Sequence, residues 1–253
     1  MHYISGDIEG MSGFGHPGVS NDEILRAHLL AAAEGMHDAG ETFIRLRTWH
    51  GRPELPDYVE IVRGNRTEDF DLPGLTGDFA GLGLVGFHGL PPDHAFGHAY
   101  RFTHMVLNGR KIGEITIQAL LAGTRGVPTV LLAGSRGAVE EVLAVAPEAV
   151  TVCTREGREG DEGEMSAKVL DEIRIAAADA VHSAGKIPPP VLPDRFLFEV
   201  PMRDERAAEI AERLPNFHVR RDRVTVSVET PDFPTCYRFL LKCFDCCDEA
   251  RDR

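Results

Sequence analysis

The sequence has little positive charge, with 27 lysine and arginine residues against 40 aspartate and glutamate residues, a formal net charge of −13. Phosphate backbones are bound by clustered basic side chains. The one such cluster, "RRDR" at residues 220–223, is short, and we predict that it is the exposed tip of a hairpin. We therefore expect no nucleic-acid partner.

Long apolar runs are also lacking in the sequence. No run approaches the roughly 18–20 residues that cross a bilayer, and the first residues predict a strand rather than a secretory signal. The five cysteines are an odd number, with three of them crowded at residues 243–247, and they make no plausible disulfide framework. We expect a cytoplasmic protein with reduced thiols and without a membrane partner.

What is present is a pattern of apolar segments that predicts strands alternating with helices. The predicted strands are residues 2–6, 43–46, 82–87 and 129–132. Ser20 begins a predicted helix that ends near Asp38, and the Asn108-Gly109 pair predicts a hairpin between residues 105 and 112. Such alternation is typical of a three-layer α/β fold, in which a largely parallel sheet carries helices on both faces.

The segment "KIPPPVLP", residues 186–193, predicts a boundary between two parts of the chain. We assign residues 1–187 to the α/β domain and residues 188–253 to a smaller C-terminal α+β part. Before this boundary, residues 154–164 are acidic, rich in glycine and without apolar periodicity, which predicts a mobile loop. A long helix from about residue 165 to residue 183 is predicted to follow it.

One interpretation of "SGDIEGMSGFGHPG", residues 5–18, is a phosphate-binding loop. Gly13, Gly15 and Gly18 match the letters of the dinucleotide-binding fingerprint. In that fingerprint the first glycine lies directly at the strand end, whereas here the two acids Asp7 and Glu9 come first. Their carboxylates would repel a pyrophosphate, so a nucleotide-binding module is the weaker alternative.

The other interpretation of this stretch is half of a metal site. Asp7 and Glu9 are two positions apart at the carboxyl end of a predicted strand, so in extended backbone their carboxylates point to the same side. His50 and His88 end the second and third strands, and Glu114 lies at the start of a helix after the hairpin. Oxygen and nitrogen donors at the ends of neighbouring strands suit zinc or a similar divalent ion.

The hexapeptide "SGDIEG" at residues 5–10 resembles the Ser-x-Asp-x-Glu-Gly signature of the D-aminopeptidase family, the M55 class of metallopeptidases. Three later segments resemble the family in the same order, namely "GFHG", "NGRKIGE" and "GVPTVLLAG". The resemblance covers about residues 1–150, with a fainter match towards the C-terminal end.

The resemblance implies a hydrolase with two zinc ions per chain. The metal ligands that it implies are Asp7, Glu9, His50, His88 and Glu114. Asp7 is the expected bridge between the ions, because one carboxylate offers two oxygens. The resemblance also implies a catalytic imidazole at His98, in "AFGHAYRF", which would donate to the oxyanion or protonate the leaving amine.

The reaction that the resemblance implies is attack by metal hydroxide on an amide bond beside a free amine. The implied substrates are short peptides, from which an N-terminal D-amino acid is released. The implied assembly is a homo-oligomer, a homodecamer of stacked pentamers.

Two departures from the family pattern bear on the substrate. The dipeptide Thr48-Trp49 precedes a ligand histidine where the family has Asp-Ser, and Gly97 and Ala99 flank His98 where the family has serines. Because residues beside a ligand orient it and shape the pocket, we expect a different pocket around the same metal ligands. A zinc-dependent amidase or esterase that acts on a specialised small molecule is therefore the first alternative to a peptidase.

Overall fold

The computed structural model describes residues 1–63, 72–90, 104–156 and 163–251 of the chain. In these ranges the backbone forms a six-stranded parallel sheet, a five-stranded antiparallel sheet and six α-helices. The predicted fold class, a largely parallel sheet with helices and an additional α+β part, is confirmed. None of the helices in the described ranges is both long enough and apolar enough to cross a bilayer.

The helices and strands are numbered here in chain order. They are β1 (His2–Gly6), α1 (Asn21–Asp38), β2 (Ile44–Thr48), β3 (Val59–Ile61), β4 (Gly81–Phe87), β5 (Met105–Leu107), β6 (Arg110–Ile112), α2 (Glu114–Gly123), β7 (Thr129–Ser135), α3 (Arg136–Leu143), β8 (Val150–Arg155), α4 (Ala167–Ser183), β9 (Phe196–Pro201), α5 (Glu205–Glu212), β10 (Arg220–Asp222), β11 (Thr225–Thr230) and α6 (Phe233–Arg251).

The parallel sheet has the strand order β3-β2-β1-β4-β7-β8. The chain runs outward from β1 to β3 on one side and then returns to place β4 on the other side of β1. In open α/β sheets such a reversal opens a crevice at the carboxyl ends of the two strands between which it occurs. Gly6, the last residue of β1, pairs with Thr48 of β2 and with Val85 of β4, so the residues that follow these strands meet at one edge.

Alternate side chains of the parallel sheet enter two different apolar clusters. Tyr3 of β1 packs with α2 and α3, whereas the next residue, Ile4, packs with α1 and α4. The helices α1 and α4 contact each other on their face, and α2 and α3 contact each other on the opposite face. This arrangement confirms the predicted three layers, and it follows from the period of two in a strand.

The antiparallel sheet has the order β10-β11-β9-β5-β6 and is built from two distant parts of the chain. The predicted hairpin β5–β6 is confirmed, with Asn108 and Gly109 at positive φ, and Val106 of this hairpin pairs with Glu199 of β9. The hairpin therefore extends the sheet of the C-terminal part. The division of the chain at residue 187 stays a prediction, and this pairing crosses it.

One prediction in this region was wrong. Residues 154 and 155 do not open a loop, because they complete β8, which pairs with β7 in the parallel sheet. Residues 157–162 of the predicted loop lie outside the described residues. The "RRDR" cluster is confirmed as an exposed hairpin, with β10 paired to β11 and Arg223 in the turn at positive φ.

Candidate metal centre

Two buried carboxylates lie at the carboxyl end of β1. Asp7 follows the strand directly, and its backbone N–H donates to the Val85 carbonyl of β4 at 2.8 Å. The exposed fraction is only 3% for Asp7 and 8% for Glu9. Burial of a carboxylate is unfavourable unless a positive charge or hydrogen bonds compensate it, so this pair needs partners.

Two imidazoles approach these carboxylates from the neighbouring strands. Nε2 of His50, two residues after β2, lies 3.0 Å from Asp7 Oδ1 and 3.5 Å from Glu9 Oε2. Nε2 of His88, directly after β4, lies 3.8 Å from Asp7 Oδ2. The Nδ1–H of His88 donates to the Gly89 carbonyl at 2.8 Å, which in the neutral ring leaves the lone pair of Nε2 towards Asp7.

The structure brings the five predicted ligands together in two groups that share one residue. The first group is Asp7, Glu9 and His50, and the second is Asp7, His88 and Glu114. Within each group the potential ligand atoms lie within 4.8 Å of one another. The two oxygens of Asp7 face different imidazoles, which is the arrangement that a bridging carboxylate requires. That these residues hold zinc stays a prediction.

The electrostatics of the two groups favour a cation. Burial, with a smaller contribution from the charge of Glu9, raises the pKa of Asp7 to about 7 against the lowering effect of the hydrogen bond from His50. That hydrogen bond raises the pKa of His50. Burial lowers the pKa of His88, but the charges of Asp7 and Glu114 outweigh burial, so the pKa of His88 is raised. Each shift reports a deficit of positive charge around the carboxylates.

The donor set fits divalent ions such as zinc. Among the described residues, none gives a hydrogen bond to the buried Oδ2 atom of Asp7. Carboxylate oxygens and imidazole nitrogens are the donors that zinc accepts, and a divalent ion would supply the positive charge that the buried carboxylates lack. The residues present therefore fit the metal that the family resemblance implies.

Glycines bring the ends of β1 and β4 close together. A Cβ on Gly10 would lie 1.8 Å from the Phe87 carbonyl oxygen, and a Cβ on Gly86 would lie 2.1 Å from the Asp7 carbonyl oxygen. Gly86 also has φ +84, which favours glycine. These close approaches place Asp7 beside the strand that carries His88.

The glycine-rich loop after Glu9 is held by protein groups. Thr154 donates its hydroxyl hydrogen to the Gly10 carbonyl, and Nη1 of Arg155 donates to the Phe14 carbonyl at 2.9 Å. In a dinucleotide fingerprint the third glycine lets the helix pack closely against the strand. Gly18 is not in this position, because it lies before the start of α1 at Asn21. The geometry disfavours the nucleotide-binding alternative. The roles of Thr154 and Arg155 were not predictable from the sequence, because both residues fall in a segment whose composition predicts a loop.

The structure describes the residues around His50 but not those around His98. Thr48 Oγ1 accepts a hydrogen bond from the His50 backbone N–H at 3.1 Å and so holds the turn that carries this histidine. Trp49 turns towards Arg47, whose guanidinium carbon lies 3.0 Å from the centre of the indole ring. His98 and its neighbours Gly97 and Ala99 lie outside the described residues.

The fold and the two ligand groups together define an α/β protein with a candidate metal centre, and comparison with known proteins identifies the family. The model of peptidase family M55, described as D-aminopeptidase, matches residues 1–242. The chain therefore belongs to the M55 D-aminopeptidase family, a family of peptide hydrolases, as the sequence motifs predicted.

Two further comparisons agree with this assignment. The D-aminopeptidase of Bacillus subtilis (strain 168) is 23% identical over 261 residues, which cover 94% of each chain. A solved structure, described as the Zn-dependent D-aminopeptidase DppA from Bacillus subtilis, a self-compartmentalizing protease, superposes with a TM-score of 0.84. It is 20% identical to this chain and the match covers 97% of both chains, which confirms the fold.

Proposed function

We propose that this protein is a zinc-dependent D-aminopeptidase that releases N-terminal D-amino acids from short peptides. The observation that carries the proposal is the pair of ligand groups sharing Asp7 at the strand-order reversal, in a chain of the M55 family. The D-amino-acid preference is supported by the description of the Bacillus subtilis relative as a D-aminopeptidase, and the zinc dependence by the description of the solved structure as Zn-dependent.

Two ions per chain are part of this proposal. Asp7, Glu9 and His50 would hold one ion, and Asp7, His88 and Glu114 would hold the other. When bound, two such ions would lower the pKa of a water molecule, so that it can lose a proton at neutral pH and attack a carbonyl carbon. They would also supply positive charge that stabilises the negative charge developing on the carbonyl oxygen. The residues of this chain orient the site, since the Gly89 carbonyl fixes the tautomer of His88 and Thr48 holds the turn of His50.

His98 has the proposed role of proton donor to the oxyanion or to the leaving amine. An imidazole suits this role because its ordinary pKa lies near neutral pH. The support for this assignment is the family resemblance of the segment "AFGHAYRF".

The Asp7→Asn variant tests the proposal. Asparagine keeps the size of the side chain but removes the charge that both groups share, so we expect loss of both ions and a fall of at least about 100-fold in kcat/KM. Metal content is measured by elemental analysis of the purified protein, and activity with D-alanine p-nitroanilide. Asp171→Asn, an exposed change on α4, is the matched control and should retain both properties.

Zinc-free wild-type protein, or an Asp7→Asn variant with two ions and normal turnover, would contradict the proposed centre. The substrate panel also includes L-alanine p-nitroanilide and short D-peptides. A marked preference for the D-substrates would support the proposed D-aminopeptidase activity. Equal turnover of the L-substrates would contradict the proposed preference for D-amino acids.

A second candidate function is a zinc-dependent amidase or esterase with a small-molecule substrate. The observation that favours it is Trp49, which directly precedes His50, has 37% of its surface exposed and stands where the family resemblance places a serine. Simple acyl amides and esters that lack a free amine distinguish the two functions. Turnover of these compounds without turnover of any aminoacyl substrate would select the second candidate.

We extend the proposal to a homo-oligomeric, cytoplasmic enzyme. The solved relative is described as self-compartmentalizing, and the family resemblance implies ten chains, which native mass spectrometry would detect as a multiple of the 27.8 kDa chain. The five cysteines are free thiols in the structure, and cytosolic proteins keep their thiols reduced.

A further inference from the structure

The helix that begins with Glu114 is capped by a side chain from another helix. Gly113 is the N-cap of α2 and has no side chain with which to cap it. Glu141 of α3 takes over this role, because its Oε1 atom accepts hydrogen bonds from Gly113 N at 2.7 Å and Thr116 N at 3.0 Å. The same oxygen accepts from Thr116 Oγ1 at 2.7 Å. These backbone N–H groups are among those that the start of a helix leaves without partners.

The glycine and the distant carboxylate belong to one arrangement. A Cβ on Gly113 would lie 2.6 Å from Glu141 Oε2 and 3.0 Å from Leu90 Cδ2. Any capping side chain at position 113 would therefore displace the carboxylate that now caps the helix. Glu114 is the first residue of α2, so the backbone that carries it is set by Glu141.

The N-terminal end of α3, opposite the end that carries Glu141, holds the backbone beside His88. Ser135 is the N-cap of α3, and its Oγ accepts from Ala138 N at 3.4 Å. The same oxygen accepts from Gly89 N at 3.0 Å. Since the Gly89 carbonyl accepts the hydrogen bond from Nδ1 of His88, Ser135 fixes the residue that orients this imidazole.

We propose that α3 is the positioning element of the Asp7–His88–Glu114 group. Ser135 at its start positions His88, and Glu141 near its end positions Glu114. Glu141 is thus a positioning residue, and it acts through the start of α2. This inference rests on the proposed function, because it takes His88 and Glu114 as metal ligands.

The positioning role is specific for one of the two groups. The hydrogen bonds of the Glu141 side chain in the described part of the chain go to Gly113 and Thr116. The other group depends on different supports, since Thr48 holds the turn of His50 and β8 holds the loop after Glu9. Loss of Glu141 should therefore weaken one zinc ion and leave the other in place.

The Glu141→Ala variant tests this inference by zinc titration against a chromophoric chelator. We expect two zinc ions per wild-type chain, and in the variant one ion of unchanged affinity and one weakened by about 10- to 100-fold, the usual effect of removing a group that orients a ligand. Glu140→Ala, an exposed neighbour on α3, is the matched control and should bind as the wild type does.

The Glu141→Gln variant separates hydrogen bonding from charge. Its amide oxygen can accept the three hydrogen bonds that Oε1 accepts now, so we expect zinc affinities within about threefold of the wild type. If Glu141→Ala does not fold, as judged by circular dichroism, Thr116→Val takes its place. This variant removes one of the three hydrogen bonds, and Thr116→Ser should restore the affinity.

Equal weakening of both ions, or wild-type binding by folded Glu141→Ala or Thr116→Val, would overturn the positioning role and leave the proposed function standing. A wild-type chain that binds no divalent ion would overturn the proposed function, and the present inference with it.

Discussion

His28 is a buried histidine of α1 with no exposed surface. Its Nδ1–H donates to the Ile24 carbonyl at 2.9 Å, so Nε2 accepts the hydroxyl hydrogen of Ser12 at 3.0 Å. Burial lowers the pKa of His28 to about 4 against the effect of the backbone hydrogen bond. The neutral ring of His28 therefore holds the glycine-rich loop to α1 through Ser12.

Protonation of His28 should destabilise the fold at acidic pH. Its pKa in the folded state is about 4, below the ordinary value of 6.5, so the unfolded chain binds more protons between these values. The stabilisation is complete above pH 6.5 and is lost as the pH falls towards 4, by at most about 3 kcal/mol.

Urea unfolding of metal-free protein at pH 7 and pH 5 measures this loss, with His28→Gln as the comparison. Glutamine does not titrate, so the free energy of unfolding should fall less between the two pH values in the variant. Equal falls in both proteins would show that His28 is not responsible. His2, whose pKa burial also lowers, is present in both and cancels.

Site residues that stand at strand ends were predictable from the sequence, whereas residues that act through contacts with distant parts of the chain were not. Asp7, Glu9 and His50 were identifiable because a strand pattern places them at one edge of a sheet. Thr154 was not, because it meets Gly10 across 144 positions of the chain and no local pattern reports such a contact.

At the element scale, the approach of β1 and β4 is the feature that brings Asp7 and His88 together. It depends on glycines at which any side chain would meet backbone atoms. Gly86 combines a positive φ with a close contact to the Asp7 carbonyl, whereas Gly126 has φ +74 and open space around it. A side chain at position 126 would therefore introduce backbone strain alone, whereas a side chain at position 86 would add a steric clash.

Gly86→Ala should destabilise the protein more than Gly126→Ala. Strain at positive φ costs about 1–2 kcal/mol in either variant, and overpacking adds about 1–3 kcal/mol at position 86. Gly86→Ala should also weaken zinc binding, because the added methyl group displaces the backbone of Asp7. Chemical unfolding and zinc titration measure the two effects. Equal losses of stability, with unchanged zinc affinity, would contradict the close approach.

Most elements were predictable because their own apolar pattern and capping residues specify them. Ser20 caps α1 through a hydrogen bond from Glu23 N, and Asn108-Gly109 makes the turn of β5–β6. The end of β8 was not predictable from composition, since its last residues are polar and an acidic, glycine-rich sequence follows them directly. The pairing of β5 with β9 was also hidden, because strand registers between distant segments leave no local signature.

At the scale of the whole molecule, one apolar cluster joins the two predicted parts of the chain. It includes Leu120 of α2, Val142 of α3, Phe198 of β9 and Phe239 of α6. The same two parts of the chain are also linked by the pairing of β5 with β9. The prediction of a boundary at residue 187 thus describes chain order, and we expect the two parts to unfold together.

A fragment of residues 1–187 tests this expectation. Without residues 188–253 the hairpin lacks its partner strand and the cluster is uncovered, so we expect binding of the dye ANS and loss of a cooperative thermal transition. Adding the fragment 188–253 in excess should reduce the dye signal. Cooperative unfolding of 1–187 alone, at the temperature of the full chain, would establish two independent domains instead.

The hairpin β5–β6 ends at Ile112, only two residues before Glu114, and its other strand is bonded to the C-terminal part. A substitution that displaces β9 would therefore also displace the hairpin and, with it, the proposed zinc ligand Glu114. The described residues of the C-terminal part belong to neither ligand group, yet they share in setting the position of one ligand. Family members that keep all five proposed donors can thus diverge in zinc affinity and turnover through changes in a region whose described residues lie outside both ligand groups.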